Sequence, residues 1–173
     1  REAAEDDLRR MEDSIHTMGA VIDDLLDLGR LGRDGVNMER TNLRSVVEQV
    51  AESLEEDAGH REASILIGDV CDSAVIDKHA FRRIIQNLLE NAIKHACKEP
   101  GCEIRVSAAI ENDVLLLCVS DTGPGIREDF HQKIFGLFER LDSSTPGTGI
   151  GLASVAKAAE LQGGAAWVES EPG

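Results

Sequence analysis

Residues 87–95 read NLLENAIKH, and they decide how the chain is built. The stretch belongs to a longer segment, DKHAFRRIIQNLLENAIKHA (77–96), in which Asp77 is a plausible N-cap and the helix runs to Ala96. At about 100° per residue, Phe81, Ile85, Leu88, Leu89, Ala92 and Ala96 share one face. Asn87, Asn91 and Lys94 share another, with His95 on the border. One side of the helix is therefore oily. The other carries amide oxygens, amide donors and a cation in a compact row. An ordinary amphipathic helix with a solvated face would look the same over nine residues, so the rest of the chain has to decide.

The 173 residues carry a formal charge of −15, enough length for one domain with a real core plus an accessory element. Such acidity argues against a nucleic-acid surface, which needs basic patches to neutralise phosphates. It allows an anionic small ligand where cations are placed locally. No apolar run is long enough to span a bilayer and no signal peptide is visible, so no membrane contact is expected. The chain opens on Arg1 and is read as a fragment. Cys71, Cys97, Cys102 and Cys118 show no CxxC spacing and no zinc-like pairing with histidine. They are expected to be reduced, mostly buried small hydrophobes of a cytoplasmic protein.

Upstream of the central helix the pattern divides the chain in two. Leu8, Met11, Ile15, Met18, Ile22 and Leu25 alternate by three and four, which predicts a helix over roughly the first thirty residues with a bundle seam. Val21, Leu26 and Leu28 widen the stripe in the manner of a bundle. Gly29, Gly32 and Gly35 end it. From Val36 the pattern is globular. It predicts an extended segment (VNMERTNL), a helix from Arg44 to Glu56, and a strand around ILIGD. After the central helix come strands CEIRVSAAI and DVLLLCVSD, joined at Glu111–Asn112, then a polar segment from Thr122 to Thr148. A helix from Ile150 to Leu161 and a last strand, AAWVES, complete the chain. The fold class expected is α+β: a two-layer sandwich of a mixed β-sheet and about three helices, preceded by a long bundle helix.

Two glycine clusters flank the polar segment. DTGPGI begins where a strand ends, so Asp121 sits at a strand terminus, and on its own the motif reads first as a plain strand-ending turn. In PGTGIGLASVAKAAELQGG, Gly147, Gly149 and Gly151 precede and open a helix. Backbone N–H groups at such an entrance, approachable because glycine lacks a side chain, suit phosphate. No GK[ST] follows and no hydrophobic strand precedes, so neither a P-loop nor a Rossmann turn is indicated.

NLLENAIKH, DTGPGI, IFGLFER and GTGIGL, in that order, resemble the N, G1, F and G2 boxes of the ATP-binding domain of sensor histidine kinases, whose fold is shared with gyrase-type and mismatch-repair ATPases. IDDLLDLGRL resembles, more weakly, the second helix of that family's dimerisation and phosphotransfer hairpin. The resemblance implies domains at 1–33 (hairpin helix) and 36–173 (ATP-binding domain), with ATP and Mg²⁺ as cofactors. It implies that Asn91 binds Mg²⁺ through its carbonyl oxygen, a hard ligand for a hard cation. Asn87 lines the phosphate side, and Lys94 and His95 contact phosphate or ribose. Asp121 accepts from the adenine amino group, as an acceptor-only carboxylate can. Gly123, Gly125 and Ile126 pass near the base. Gly147, Thr148, Gly149, Gly151 and Leu152 form the glycine-rich side of the site. Arg140 stands near the γ-phosphate, where a fixed cation stabilises charge in transfer, and Asn87 is counted with it as catalytic. Phe135 and Phe138 are expected to pack a mobile lid, Glu128 to Pro146, against the body.

The resemblance further implies a homodimer through the helical bundle, a response regulator as partner, and a cytoplasmic place for this portion. The family's acceptor motif is absent: His16 is followed by Thr17, so the acceptor is expected on a helix outside this chain. The family also continues past Glu171-Pro172-Gly173 into one more strand, which is expected to be missing here. Two other functions remain open. An ATPase of the same fold would need a carboxylate at Asn87 to activate water, and an amide is a poor general base. A non-catalytic dimerising adaptor would have little reason to keep these glycines and Asp121.

Overall fold

The computed structural model describes residues 2–31, 35–97, 100–141 and 147–172, with the side chains at 2–10, 12–14 and 16–17 outside the description. The central helix is α4 (Lys78–Asn91 in the order below), and its start follows from capping. Asp77 is extended and its Oδ1 accepts the Ala80 N–H at 3.0 Å. Past Asn91 the helix widens into one π-helical turn, Ala92–Ala96, which carries Lys94 and His95.

The elements run α1 (Glu2–Arg30), β1 (Met38–Asn42), α2 (Leu43–Ser53), α3 (Glu55–His60), β2 (Ser64–Val70), β3 (Ser73–Asp77), α4, β4 (Glu103–Glu111), β5 (Val114–Asp121) and α5 (Gly151–Leu161). β1 and β3 pair antiparallel. β2, β4 and β5 form the mixed sheet, β2 parallel to β4 and β4 antiparallel to β5. The oily face of α4 is the centre of the core: Phe81, Ile85, Leu89 and Ala92 are buried against Leu43, Val47 and Val50 of α2 and Ile104 and Val106 of β4. The layered α+β expectation holds.

Several local expectations do not. β3 (SAVID) was unforeseen and supplies the partner of β1. The predicted 44–56 helix breaks at Leu54, and α3 follows. The hairpin turns at Asn112–Asp113, one residue later than Glu111–Asn112, because both residues take positive φ (50° and 63°), the twist a two-residue hairpin requires. AAWVES joins no ladder, and Trp167 lies exposed with its indole N–H on Glu169 at 3.0 Å. The cysteines are not all thiols: Cys97 and Cys102, both buried, form a disulfide, while Cys71 is half-buried and Cys118 exposed.

α1 runs for 29 residues, and Met11, Ile15, Met18, Ile22, Leu25 and Leu26 lie exposed along it. Of the glycines expected to end it, Gly29 is still helical, Gly32 lies outside the described residues, and Gly35 follows with φ 79°. The side chain of His16 also lies outside the described residues.

Candidate functional site

The polar stripe of α4 faces the entrance of α5. A Cβ built on Gly151 would lie 3.2 Å from Asn87 Oδ1, so that amide oxygen sits against the first residue of the helix. α5 has no side-chain cap; Ile150, before it, is buried. An uncapped helix start beside an amide oxygen offers N–H donors to an anion and a hard oxygen to a cation. Among the described residues no group of three or more His, Cys, Asp or Glu could hold a metal. A metal here would have to take most of its ligands from phosphate and water, as Mg²⁺ ordinarily does.

The glycine-rich side is shaped by two positive-φ residues in contact. Gly149 (φ 70°) accepts the Phe138 N–H at 2.9 Å, and Phe138 itself has φ 63°. A Cβ on Gly149 would stand 2.8 Å from the Phe138 carbonyl carbon, so no other residue fits without movement. Gly147, by contrast, has nothing among the described residues within 4 Å of such a Cβ. Thr148, between them, donates its hydroxyl to Asp24 of α1 at 2.6 Å.

At the far end, the β4–β5 ladder brings Asp121 opposite Ile104 and continues through Thr122, which trades bonds with Glu103. Asp121 Oδ1 accepts the Gly123 N–H at 2.9 Å, and the carboxylate keeps further acceptor capacity. A Cβ on Gly123 would strike Ala96 at 2.5 Å, so the π-helical turn and this loop touch. Gly125 (φ 72°) passes under the Glu171 carbonyl, and the Ile126 N–H bonds Ser170 Oγ at 2.8 Å.

The site residues expected from sequence thus fall into two groups. Asn87, Gly149, Gly151 and half-buried Leu152 gather at one end; Asp121, Gly123, Gly125 and Ile126 gather at the other, with half-buried Asn91 on the connecting stripe. Lys94 is drawn aside: its ammonium sits 3.0 Å from Glu90, which also accepts from Gln86. His95 and Arg140 are exposed. Phe138 is exposed and Phe135 only half-buried, and it is Ile134 that anchors the 128–138 segment. Residues 142–146 of the expected lid lie outside the described residues. Sequence reasoning missed three contributors. Asp24 and Asp27 reach the site from α1, and no local pattern marks them. Arg83, which bonds Asp27, was legible in principle, since it stands one turn before Asn87 on the same stripe.

A family profile described as "Histidine kinase-, DNA gyrase B-, and HSP90-like ATPase" matches residues 76–173. The methanogenesis regulatory histidine kinase FilI of Methanothrix harundinacea is 30% identical over 167 residues, 96% of this chain and 19% of that protein. Cyanobacterial phytochrome B of Nostoc is 34% identical over 171 residues, 95% of this chain and 21% of that protein. The chain spans about a fifth of the length of these curated relatives. Among solved structures, full-length ShkA in complex with AMPPNP superposes with a TM-score of 0.77 at 25% identity, over all of this chain and 36% of that one. The mycobacterial sensor histidine kinase MprB gives 0.63 at 28% identity, over 76% of this chain and 85% of that one.

Proposed function

Because the chain belongs to the family of histidine kinase-, DNA gyrase B- and HSP90-like ATPases and is a histidine-kinase-type ATP-binding catalytic domain, we propose that it binds Mg²⁺–ATP between α4 and α5 and serves transfer of the γ-phosphate to a histidine carried outside this chain. The observation that carries this reading is Asn87 Oδ1 set against Gly151 at the uncapped start of α5. Bound Mg²⁺–ATP supplies the phosphoryl group and the cation that offsets its charge. Asn91 is the metal's protein ligand, and Asn87 orients the phosphates one turn earlier on α4. The N–H groups of Gly149, Gly151 and Leu152 take phosphate oxygens at the helix entrance, with Gly147 and Thr148 forming the rim. Asp121 accepts from the adenine amino group, and Gly123, Gly125 and Ile126 pass beside the base. Lys94 and His95 reach the ribose–phosphate side, Lys94 after leaving Glu90. Arg140, on the segment that closes over the site, stabilises charge on the terminal phosphate.

An amide at Asn87 cannot take a proton from water as a carboxylate would, which favours transfer over hydrolysis. The exposed seam of α1 is completed in a homodimer's bundle, and a response regulator receives the phosphoryl group. ThkA, a fold neighbour (TM-score 0.74, 17% identity, 98% of this chain and 48% of that one), was solved in complex with the response regulator TrrA. No described helix is long and apolar enough to cross a membrane, and we assign this portion to the cytoplasm. The test is titration of a fluorescent ATP analogue with and without Mg²⁺. Wild type should bind in a Mg²⁺-dependent way, and Asp121→Ala should lose roughly ten-fold or more in affinity, as expected when a buried base donor loses its acceptor. Equal affinities would overturn the reading.

A further inference from the structure

Two carboxylates of α1, one turn apart, each hold a donor from a different wall of the nucleotide site. Asp24 Oδ2 takes the Thr148 hydroxyl at 2.6 Å, within the glycine-rich entrance of α5. Asp27 pairs with the Arg83 guanidinium, and also faces Arg30 at 3.8 Å. Arg83 precedes Asn87 by one turn of α4, so it continues the Asn87–Asn91 stripe towards α1. Its side chain is only 21% exposed, and its Nε is buried with no hydrogen-bond partner among the described residues.

A guanidinium has five donors in a fixed fork, and here one carboxylate leaves part of it unserved. A phosphate asks for the same donors as a carboxylate and offers more acceptor oxygens. We infer that α1 is seated on the catalytic body through the donors that the phosphate end of a nucleotide would recruit, Arg83 and Thr148, so that α1 seating and triphosphate binding oppose each other. This rests on the ATP reading of the site given above. Two effects produce the opposition. Asp24 and Asp27 compete directly for the two donors. Their negative charge, in a chain already at −15, also raises the cost of bringing a polyphosphate alongside. Linkage makes the effect reciprocal: whatever the carboxylates subtract from phosphate affinity, the phosphates subtract from α1 seating. The nucleotide then loosens the helix against the body, and Arg83 becomes a phosphate-positioning residue once Asp27 lets go.

The experiment replaces both acids, Asp24→Asn with Asp27→Asn, and titrates an ATP analogue and adenosine separately. Affinity for the ATP analogue should rise roughly three- to ten-fold, the range for partly exposed charge pairs acting together, with adenosine unchanged. ATP affinity that stays the same or falls overturns the opposition, as does an equal gain for adenosine, which would indicate a general change in the pocket. If wild type and variant both bind neither ligand, the ATP reading itself fails and takes this inference with it. Hydrogen exchange on the unaltered chain gives an independent readout. Amides of residues 20–30 should exchange faster when the ATP analogue is bound, and slower exchange there would overturn the inference.

Discussion

The two walls of the proposed nucleotide site face the same space and are held by different physics. The α4 wall is fixed from behind. Phe81, Ile85, Leu89, Ala92 and Ile93 are buried, so the positions of Asn87 and Asn91 are a by-product of packing on the opposite face. The wall formed by residues 136–141 and 147–151 has, among the described residues, little behind it beyond Ile134 and Ile150. Its shape depends on the hydrogen bond between Phe138 and Gly149, both with positive φ, and on Thr148, whose hydroxyl bonds Asp24 and accepts the Ile150 N–H. A side chain presented by a core helix moves only if the core moves. A backbone presented by a glycine loop can move at small cost, which suits a surface that must close on a ligand and release it.

The largest effect should come from breaking the packed wall. Leu89 is fully buried on α4, and Leu89→Ala should cost about 2–5 kcal/mol in unfolding free energy measured with urea. Nucleotide affinity of the fraction that remains folded should change little, because Asn87 and Asn91 stay on the same helix. A large affinity loss without a stability loss would mean that the two faces of α4 are not coupled in this way.

The glycine wall should respond in the opposite sense, and less in stability. Gly149→Ala meets both a positive φ and the Phe138 backbone, so it should cost about 1–2 kcal/mol of stability and weaken ATP binding roughly ten-fold or more. Gly147→Ala finds open space and should leave stability within about 0.5 kcal/mol of wild type. Binding measured by calorimetry on both variants sharpens the contrast. Equal losses at the two positions would show that loop composition, not the Phe138–Gly149 geometry, sets the site.

The same division explains what could be read from the sequence. The α4 wall was legible because 3.6-residue periodicity separates Phe81, Ile85 and Leu89 from Asn87 and Asn91, and burial enforces that periodicity. The glycine wall was legible from its residues as a phosphate-suited helix entrance, but no periodicity marks which of Gly147, Gly149 and Gly151 carries the strained backbone. β3 was hidden because SAVID ends on the residue that caps α4, and five residues running straight into a helix leave little alternation to count. AAWVES carries the strand formers Trp167 and Val168 yet finds no ladder among the described residues, because β-propensity reports a surface fit for pairing and not the presence of a partner. The Cys97–Cys102 bridge joins a helix end to a strand start across a five-residue spacing that thiol pairs and simple core cysteines share. The acids of α1 were least accessible. Asp27–Arg83 and Asp24–Thr148 join residues 56 and 124 positions apart, and nothing local encodes such a meeting.

The smallest expected effect tests where the packed wall begins. Asp77 ends β3 and caps α4. Its Oδ1 takes the Ala80 N–H and its Oδ2 the Asn37 N–H, both at 3.0 Å, and its own N–H bonds the Gln162 side chain beyond α5 at 3.0 Å. Burial alone would raise its pKa. The backbone N–H groups of Ala80, Asn37 and His79, with the His79 charge, outweigh that and hold it below the ordinary 3.8. A carboxylate with a lowered folded-state pKa binds fewer protons in the native than in the unfolded chain across the acid range. Its contribution is therefore complete above the unfolded value and is lost as pH falls through the folded one. Asp77→Ala should cost about 1 kcal/mol at neutral pH, the usual loss for an N-cap. That difference should shrink as unfolding is repeated at successively lower pH below 3.8, because wild type then loses the charged form while the variant has none to lose. Asp77→Asn should retain most of the cap at neutral pH and show a flatter acid dependence than wild type. A wild-type advantage over alanine that persists undiminished at the acid end would mean that packing around β3, and not the charged cap, fixes the start of the helix carrying Asn87 and Asn91.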